Sequence, residues 1–513
     1  MLRVKESLLI LIATLLSSGH VLCQKAEYCY AYNENPYLGM GTKTAYKFIH
    51  GGETPYETVP NCKPIQIWMM VRHGTRYPGT REIRGMRSLP KLRNQIIYNH
   101  KVRGSGRLCP EDLENLKRWR LSKSITYVNS DQLNSQGIED MNQLGKRIRT
   151  NFPELFPPAV TDVSARNYKF RMARGGRMSS SLTAFRDGLL NGVYVPKDEL
   201  PANSTLWVAY SRCPRWETDV ANDPVHLNEA IKFVHGPEYQ NLITNVSQRL
   251  GFHHNVSSDA VRQMWEMCSY DKALKVSKLS PWCAVFTDEE MRVFEYKDAL
   301  IDYYKRGNAH EYNVRLGCPP LRDMVDSFRK IEGEDGGYSV EPKGVFNVGR
   351  SRSYHLFMAA LGIVNDSSPL LASDFKLRKK YLWNTTEIGS FGANIAAVFY
   401  KCNDTASPNK VKFYQTEKPV DYPGCVEGLC DWEYLKSKFE KAVARCDDVE
   451  FCGQIVVAEP LIEILPSSEQ FMLVLCVLIL LVLNGPRLKR ILRKMPPCCY
   501  YRCRSRPFVI LNV

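Results

Sequence analysis

The chain has 513 residues, 44% of them hydrophobic and 24% charged, with a formal net charge of +15. That apolar content is ample for buried cores and excludes a disordered polyelectrolyte. Much of the positive charge is terminal: residues 487–513 contain Arg487, Lys489, Arg490, Arg493, Lys494, Arg502, Arg504 and Arg506 and no acid. The remaining body is mildly basic. It suits a polyanionic ligand but has neither the clustered basic face nor the motif of a nucleic-acid binder, so no nucleic-acid partner is expected.

In chain order, Arg3 and Lys5 precede the apolar stretch Leu8–Leu16, and Val21-Leu22-Cys23 stands before Gln24. This is the pattern of a secretory signal peptide over residues 1–23. Twelve cysteines lie between this stretch and the C-terminal apolar run: Cys29, Cys62, Cys109, Cys213, Cys268, Cys283, Cys318, Cys402, Cys425, Cys430, Cys446 and Cys452. An even number in a secreted setting implies disulfides. Cys268 with Cys283, Cys425 with Cys430, and Cys446 with Cys452 are candidate local pairs, although spacing leaves the connectivity open. Glycosylation sequons begin at Asn203, Asn245, Asn255, Asn365, Asn384 and Asn403. No metal-ligand spacing with matching histidines occurs, and no cofactor is expected.

Ile65, Ile67, Met69 and Val71 alternate with other residues as in a buried strand. The string Val71-Arg72-His73-Gly74-Thr75-Arg76-Tyr77-Pro78-Gly79 follows, and Gly74, Pro78 and Gly79 turn the chain. His73 is thereby expected at a strand's carboxyl edge, where open α/β sheets place ligands. Arg72 and Arg76 bracket it, each able to grip phosphate oxygens through two donors. An imidazole between two guanidiniums is unfavourable to bury without an anion. The chemistry points to phosphate, with His73 as the nucleophile that accepts it covalently. A lone histidine in a turn would be an ordinary surface residue; the whole string is what carries specificity.

Residues 131–150, with Leu133, Ile138, Met141, Leu144 and Ile148, are predicted to form an amphipathic helix. Arg177 opens a second helix that begins with the small residues Ser179, Ser180 and Ser181 and runs to Gly188-Leu189-Leu190. An arginine in such a first turn joins backbone amides that also favour anions. Helical patterns dominate about 205–330, including Met291–Tyr304, and strand-like alternation returns at Gly344–Val348. The two strand regions are expected in one sheet, on either side of a helical insertion. Near the C-terminus, Phe471–Leu483 is uncharged and apolar, with Glu459, Glu463 and Glu469 before it and the basic tail after it. That asymmetry predicts a type I membrane span. The run is shorter than the roughly 20 residues that cross a bilayer comfortably, and Ser467-Ser468 make a removed lipid-anchor signal the rival.

The string Arg72-His73-Gly74-Thr75-Arg76-Tyr77-Pro78 resembles the signature of the histidine acid phosphatases. Cys62-Lys63-Pro64-Ile65-Gln66-Ile67-Trp68-Met69-Met70, Gly41-Thr42-Lys43-Thr44-Ala45-Tyr46, Ser280-Pro281-Trp282-Cys283 with Phe286-Thr287, and Tyr304-Lys305-Arg306-Gly307 are similar to the multiple inositol polyphosphate phosphatases within that family. The resemblance covers about residues 28 to 450. It implies inositol polyphosphates as substrates. It also implies a histidine phosphatase α/β core, with a central mixed sheet flanked by helices and an inserted, mainly helical domain. His73 is the implied nucleophile, and Arg72, Arg76 and Arg177 are the implied phosphate clamp.

One departure stands out. The family supplies its leaving-group proton from a His-Ala-Glu motif after a strand, ahead of a Leu-rich helix. Here Val345–Val348 leads into Gly349-Arg350-Ser351-Arg352-Ser353, so Arg350 occupies the His position and Arg352 the Glu position. Both are then expected to bind substrate phosphate rather than to donate a proton. Asp374 and Glu387 follow in sequence as the acids that could substitute, with nothing to place either near His73.

The expected organisation is a signal peptide at 1–23 and a first core part at 24–204. A helical insertion at 205–335 and a second core part at 336–465 follow. A transmembrane helix at 471–486 and a basic cytosolic tail at 487–513 end the chain. The catalytic part would face the lumen or exterior, in the secretory pathway or at the plasma membrane, held by the C-terminal helix. Two functional readings result. One is an inositol polyphosphate phosphatase with impaired turnover; the other is a non-catalytic, membrane-anchored protein that binds polyphosphates or partners through the same pocket.

Overall fold

A computed structural model describes residues 28–453, apart from 51–55, 57, 157–166, 203, 333–340, 367, 378–379, 405 and 447–449. The chain divides into two units, Met1–Gly453 and Gln454–Val513, and the described residues all belong to the first. The expected signal peptide, membrane span and basic tail lie outside the described residues. No described helix is long and apolar enough to cross a membrane.

The strands are β1 (Cys62–Arg72), β2 (Tyr168–Met172), β3 (Asp198–Glu199), β4 (Gly344–Gly349), β5 (Asn394–Cys402), β6 (Asn409–Gln415), β7 (Lys418–Pro419) and β8 (Leu429–Asp431). They form one mixed sheet in the order β3-β2-β4-β1-β5-β6-β7, with β8 paired to β6. β2, β4 and β1 run parallel, while β5 and β6 are antiparallel to their neighbours. The two regions expected to share a sheet are thus direct neighbours, with Arg72 opposite Gly349 and Met172 opposite Val348. Three strand ends, and the loops that follow them, meet at one edge.

The alternation that identified β1 does not mark a strand with one wet face. Ile67, Trp68, Met69, Met70 and Val71 are all buried, because helices cover both faces of the central sheet. Even Gln66 is fully enclosed; its amide donates to the Pro342 carbonyl and accepts from the Ser327 hydroxyl.

The first predicted helix spans Ser135–Asn151, with the Asn134 side chain accepting from the Gly137 amide as its N-cap. It crosses the helix Gly176–Leu189 at backbone contact. A Cβ on Gly145 would stand 2.2 Å from the Phe185 carbonyl oxygen, and one on Gly188 would stand 2.0 Å from that of Asn142. Only glycine permits this approach, and it fixes the helix that carries Arg177.

Between Thr205 and Ile331 the chain is helical, and the predicted segment 291–304 lies in the helix Asp288–Arg306. That helix starts with a reciprocal cap: Thr287 accepts from the Glu290 amide while the Glu290 carboxylate accepts from the Thr287 amide. Its far end delivers Asp302 and Arg306 toward the sheet edge.

The twelve cysteines among the described residues all pair. Cys268–Cys283 and Cys425–Cys430 are joined as expected. The expected Cys446–Cys452 bridge is not formed. Cys446 bonds to Cys318, because the helix Trp432–Ala444 packs on the helix Cys318–Ile331. Cys452 bonds to Cys213 within a small core that holds Tyr210 and Trp216. Cys29–Cys109 and Cys62–Cys402 complete the set.

Candidate active site

The loops after β1, β2 and β4 enclose a cavity of about 510 Å³. His73, Arg72, Arg76, Arg177, Arg350 and Arg352 all line it, so the structure brings together every site residue predicted from sequence. Arg174 and Arg306 line it as well. Among the described residues, its charged lining is seven arginines and no carboxylate. Neither Asp374 nor Glu387 reaches it; Glu387 lies instead 3.7 Å from Lys418.

His73 is held by backbone on both sides. Its amide donates to the Gly349 carbonyl, and its carbonyl accepts from the Gly392 amide. Only 3% of the residue is exposed. Nδ1 lies 2.9 Å from the Gly74 carbonyl oxygen, which can only accept, so Nδ1 carries the hydrogen and Nε2 is left with its lone pair. Burial, followed by Arg72, Arg177 and Arg76, pushes the pKa of the imidazole well below its ordinary value. The ring is therefore neutral, with one basic nitrogen available to the cavity.

Arg72 is 4% exposed and is gripped from behind. Its Nη1 donates to the carbonyls of Thr42 and Gly389, and its guanidinium stacks 4.6 Å from the Phe391 ring centroid. Phe391 in turn donates its amide to the Thr44 carbonyl. The Gly41–Tyr46 segment, singled out in the sequence without a role, is the cradle behind this arginine.

Arg76 pairs with Asp131 at 3.2 Å and lies 3.7 Å from Glu82. Arg177, in the first turn of its helix, shares Asp131 at 3.5 Å. The helix is tied to the His73 loop through Ser181, whose hydroxyl accepts from the Gly74 amide and donates to the Arg177 carbonyl. Burial, then Arg76, lowers the pKa of Arg177. Nε of both Arg72 and Arg177 is buried with no hydrogen-bond partner in the protein. Such a concentration of desolvated cations is stabilised by an anion between them.

The other side of the cavity is built from β4 and the segment 205–221. Arg350 is exposed at the N-cap of the helix Ser351–Leu361, whose first turn contains no acid. Arg352 is half-buried, its guanidinium 4.7 Å from the Tyr210 centroid and 5.4 Å from that of Trp216. Burial, then Arg306, lowers its pKa.

Arg306 and Arg174 were not singled out as site residues in the sequence, although Arg306 lies in the Tyr304–Gly307 landmark. Arg306 binds Asp302, which also lies 2.6 Å from His355 Nδ1 and accepts from the Trp383 indole. Burial raises the Asp302 carboxyl, but His355 and Arg306 outweigh it and hold the group below its usual range. His355 itself is fully buried and does not line the cavity.

The chain is 29% identical over 421 residues to multiple inositol polyphosphate phosphatase 1 of Drosophila melanogaster, covering 81% of this chain and 86% of the relative. Its fold is similar to that of the phytase from D. castellii, with a TM-score of 0.64 at 18% identity over 83% of this chain and 92% of that one. It is also similar to the Bifidobacterium longum multiple inositol polyphosphate phosphatase solved with inositol hexasulfate. There the TM-score is 0.58 at 14% identity, over 78% and 97% of the two chains. With the family model matched across residues 65–415, from β1 through the whole sheet edge that forms the cavity, this chain belongs to the histidine phosphatase superfamily, branch 2.

Proposed function

We propose that this protein is a phosphatase of inositol polyphosphates that works through a phosphohistidine on His73 and turns over slowly. The reading rests above all on the imidazole, which is neutral, buried and ringed by arginines, with Nε2 as its lone-pair nitrogen. Nε2 attacks phosphorus, while Arg72, Arg76 and Arg177 hold the non-bridging oxygens and stabilise the charge that develops there. Arg350 and Arg352 bind further phosphates of the same substrate. The names of the relatives supply the substrate class.

Slow turnover follows from the lining. A departing alkoxide needs a proton, and the loss of a general acid costs about 10²–10⁴ in rate. Arginine keeps its proton at any working pH. The same acid-free lining is what favours the rival reading of a polyphosphate-binding protein without turnover.

The test is phosphate release from inositol hexakisphosphate by the purified full chain, with rapid-quench trapping of phosphohistidine and a His73→Ala control. Slow release with a trapped intermediate in the wild type alone supports the phosphatase. Tight binding with neither release nor trapping identifies a binding protein.

Six disulfides require an oxidising compartment, in keeping with a secreted or lumenal protein. A cleaved signal at 1–23 and a membrane span at 471–486 complete the proposal. Extraction of the protein from membranes by alkaline carbonate alone would refute the span. Residues 205–335 are proposed as an insertion in the core; hydrogen exchange that failed to separate their helices from the strands would count against it.

A further inference from the structure

Resting on that phosphohistidine reading, we infer that the cavity is best suited to phosphoanhydrides: it transfers the terminal phosphoryl group of a pyrophosphate moiety to His73, and Arg350 and Arg352 receive the departing phosphate as an anion. An alkoxide leaving group must be protonated as its bond breaks. A phosphate leaving group carries its charge over several oxygens and needs cations instead.

The leaving-group side of this cavity offers cations alone. Arg350 and Arg352 occupy the N-terminus of the helix Ser351–Leu361, directly after Gly349, whose carbonyl accepts the His73 amide. First-turn amides without helical acceptors add to the positive potential there. Arg352 is not a loose surface arginine, because Tyr210 and Trp216 hold its guanidinium. Arg306 stands in the same lining, its Nε buried without a protein partner. The described acids beside the cavity are each paired with an arginine of its lining: Asp131 with Arg76 and Arg177, Glu82 with Arg76, Glu199 with Arg174, and Asp302 with Arg306.

In the first step His73 Nε2 forms a bond to the terminal phosphorus. The bond from that phosphorus to the bridging oxygen breaks, and its electron pair leaves with the departing phosphate. In the second step water supplies its oxygen and both protons to the phosphoryl group, and the electrons of the N–P bond return to Nε2. Dihydrogen phosphate leaves and ionises in bulk solvent. No proton donor in the protein is required.

The experiment measures kcat/KM of the purified full chain on three probes: inorganic pyrophosphate, p-nitrophenyl phosphate and glycerol 2-phosphate. Phosphohistidine is trapped in each case. Pyrophosphate and the aryl ester are expected to be cleaved at least about 100-fold faster than the alkyl ester, the size of a missing general acid. The pair Arg350→His and Arg352→Glu is expected to narrow that ratio. The milder pair Arg350→Gln and Arg352→Gln, closer to the native size and polarity, is expected to slow pyrophosphate more than the aryl ester. Comparable rates on glycerol 2-phosphate would overturn the inference, and their loss in Asp131→Asn would assign the acid to Asp131. Cleavage of the aryl ester without pyrophosphate would also overturn it. In both cases a trapped phosphohistidine leaves the proposed phosphatase standing, whereas no trapping from any probe removes both.

Discussion

The two sides of the cavity are held by different kinds of structure. On the β1 side, backbone holds His73 and Arg72, while Asp131 pairs with Arg76 and Arg177. Thr42 and Gly389 carbonyls grip Arg72, the Gly74 carbonyl orients His73, and Ser181 ties the Arg177 helix to the same loop. On the β4 side, Arg350 is exposed and Arg352 rests on two aromatic rings from the segment 205–221, which the Cys213–Cys452 bridge secures. The positions of His73 and Arg72 are therefore expected to be insensitive to most single side-chain changes. The other side, where arginines line the cavity and no described carboxylate does, is expected to accept exchange of its chemistry without disturbing His73.

The largest expected effect concerns the β1 side alone. On the proposed mechanism His73→Ala removes the atom that takes the phosphoryl group, so activity and trapping are expected to fall to background while inositol hexakisphosphate still binds the arginines; residual trapping would place the nucleophile elsewhere. On the β4 side, Arg350→His with Arg352→Glu is expected to raise turnover of alkyl phosphates by up to about 10²–10⁴. No gain from that variant would show that the two sides are not separable in this way.

Removing the anchor sharpens the contrast further. Cys213→Ser with Cys452→Ser is expected to lower stability by about 2–4 kcal/mol, read by denaturant unfolding. With the Tyr210–Trp216 wall released, cleavage of pyrophosphate should fall more than that of p-nitrophenyl phosphate. On the opposite side, Ser181→Ala leaves the buried Gly74 amide without its acceptor and is expected to cost about 1–3 kcal/mol. A loss of several kcal/mol would mean that the His73 loop depends on that single side chain.

The smallest expected effect is that of acid on the nucleophile. Burial, then Arg72, disfavours the His73 imidazolium, so the neutral ring persists as pH falls through the ordinary histidine range. On p-nitrophenyl phosphate, corrected for the ester's own ionisation near ~6, kcat/KM is expected to stay flat over that range. The unfolded chain takes up the proton near ~6.5 and the native chain does not, so this group lowers stability as pH drops through that value. An activity loss centred there would show that His73 is more solvated than its 3% exposure implies.

Much of this was legible along the chain. The strand, its carboxyl-edge motif, the helix after residue 131 and the Arg177 helix depend on neighbours within a few residues, and such patterns survive in sequence. Long-range features were less readable. The period in β1 did not reveal that both its faces are covered. Arg306 was visible only as part of an unexplained landmark, because its place in the lining depends on how one long helix meets the sheet edge. Cys446 and Cys452 stand close in sequence but bond to Cys318 and Cys213, since helix packing rather than spacing decides which sulfurs meet.

The sequence by itself determined the chemistry at each point: a histidine between arginines after one strand, an arginine at a helix start, and two arginines directly after another strand. Only the tertiary structure decided that these form one cavity. The parallel pairing of β1 with β4 sets Arg72 opposite Gly349 and brings residues 350–352 alongside His73. Side-chain chemistry is a property of the residue, whereas strand register is fixed by the burial and hydrogen bonding of partners far apart in the chain.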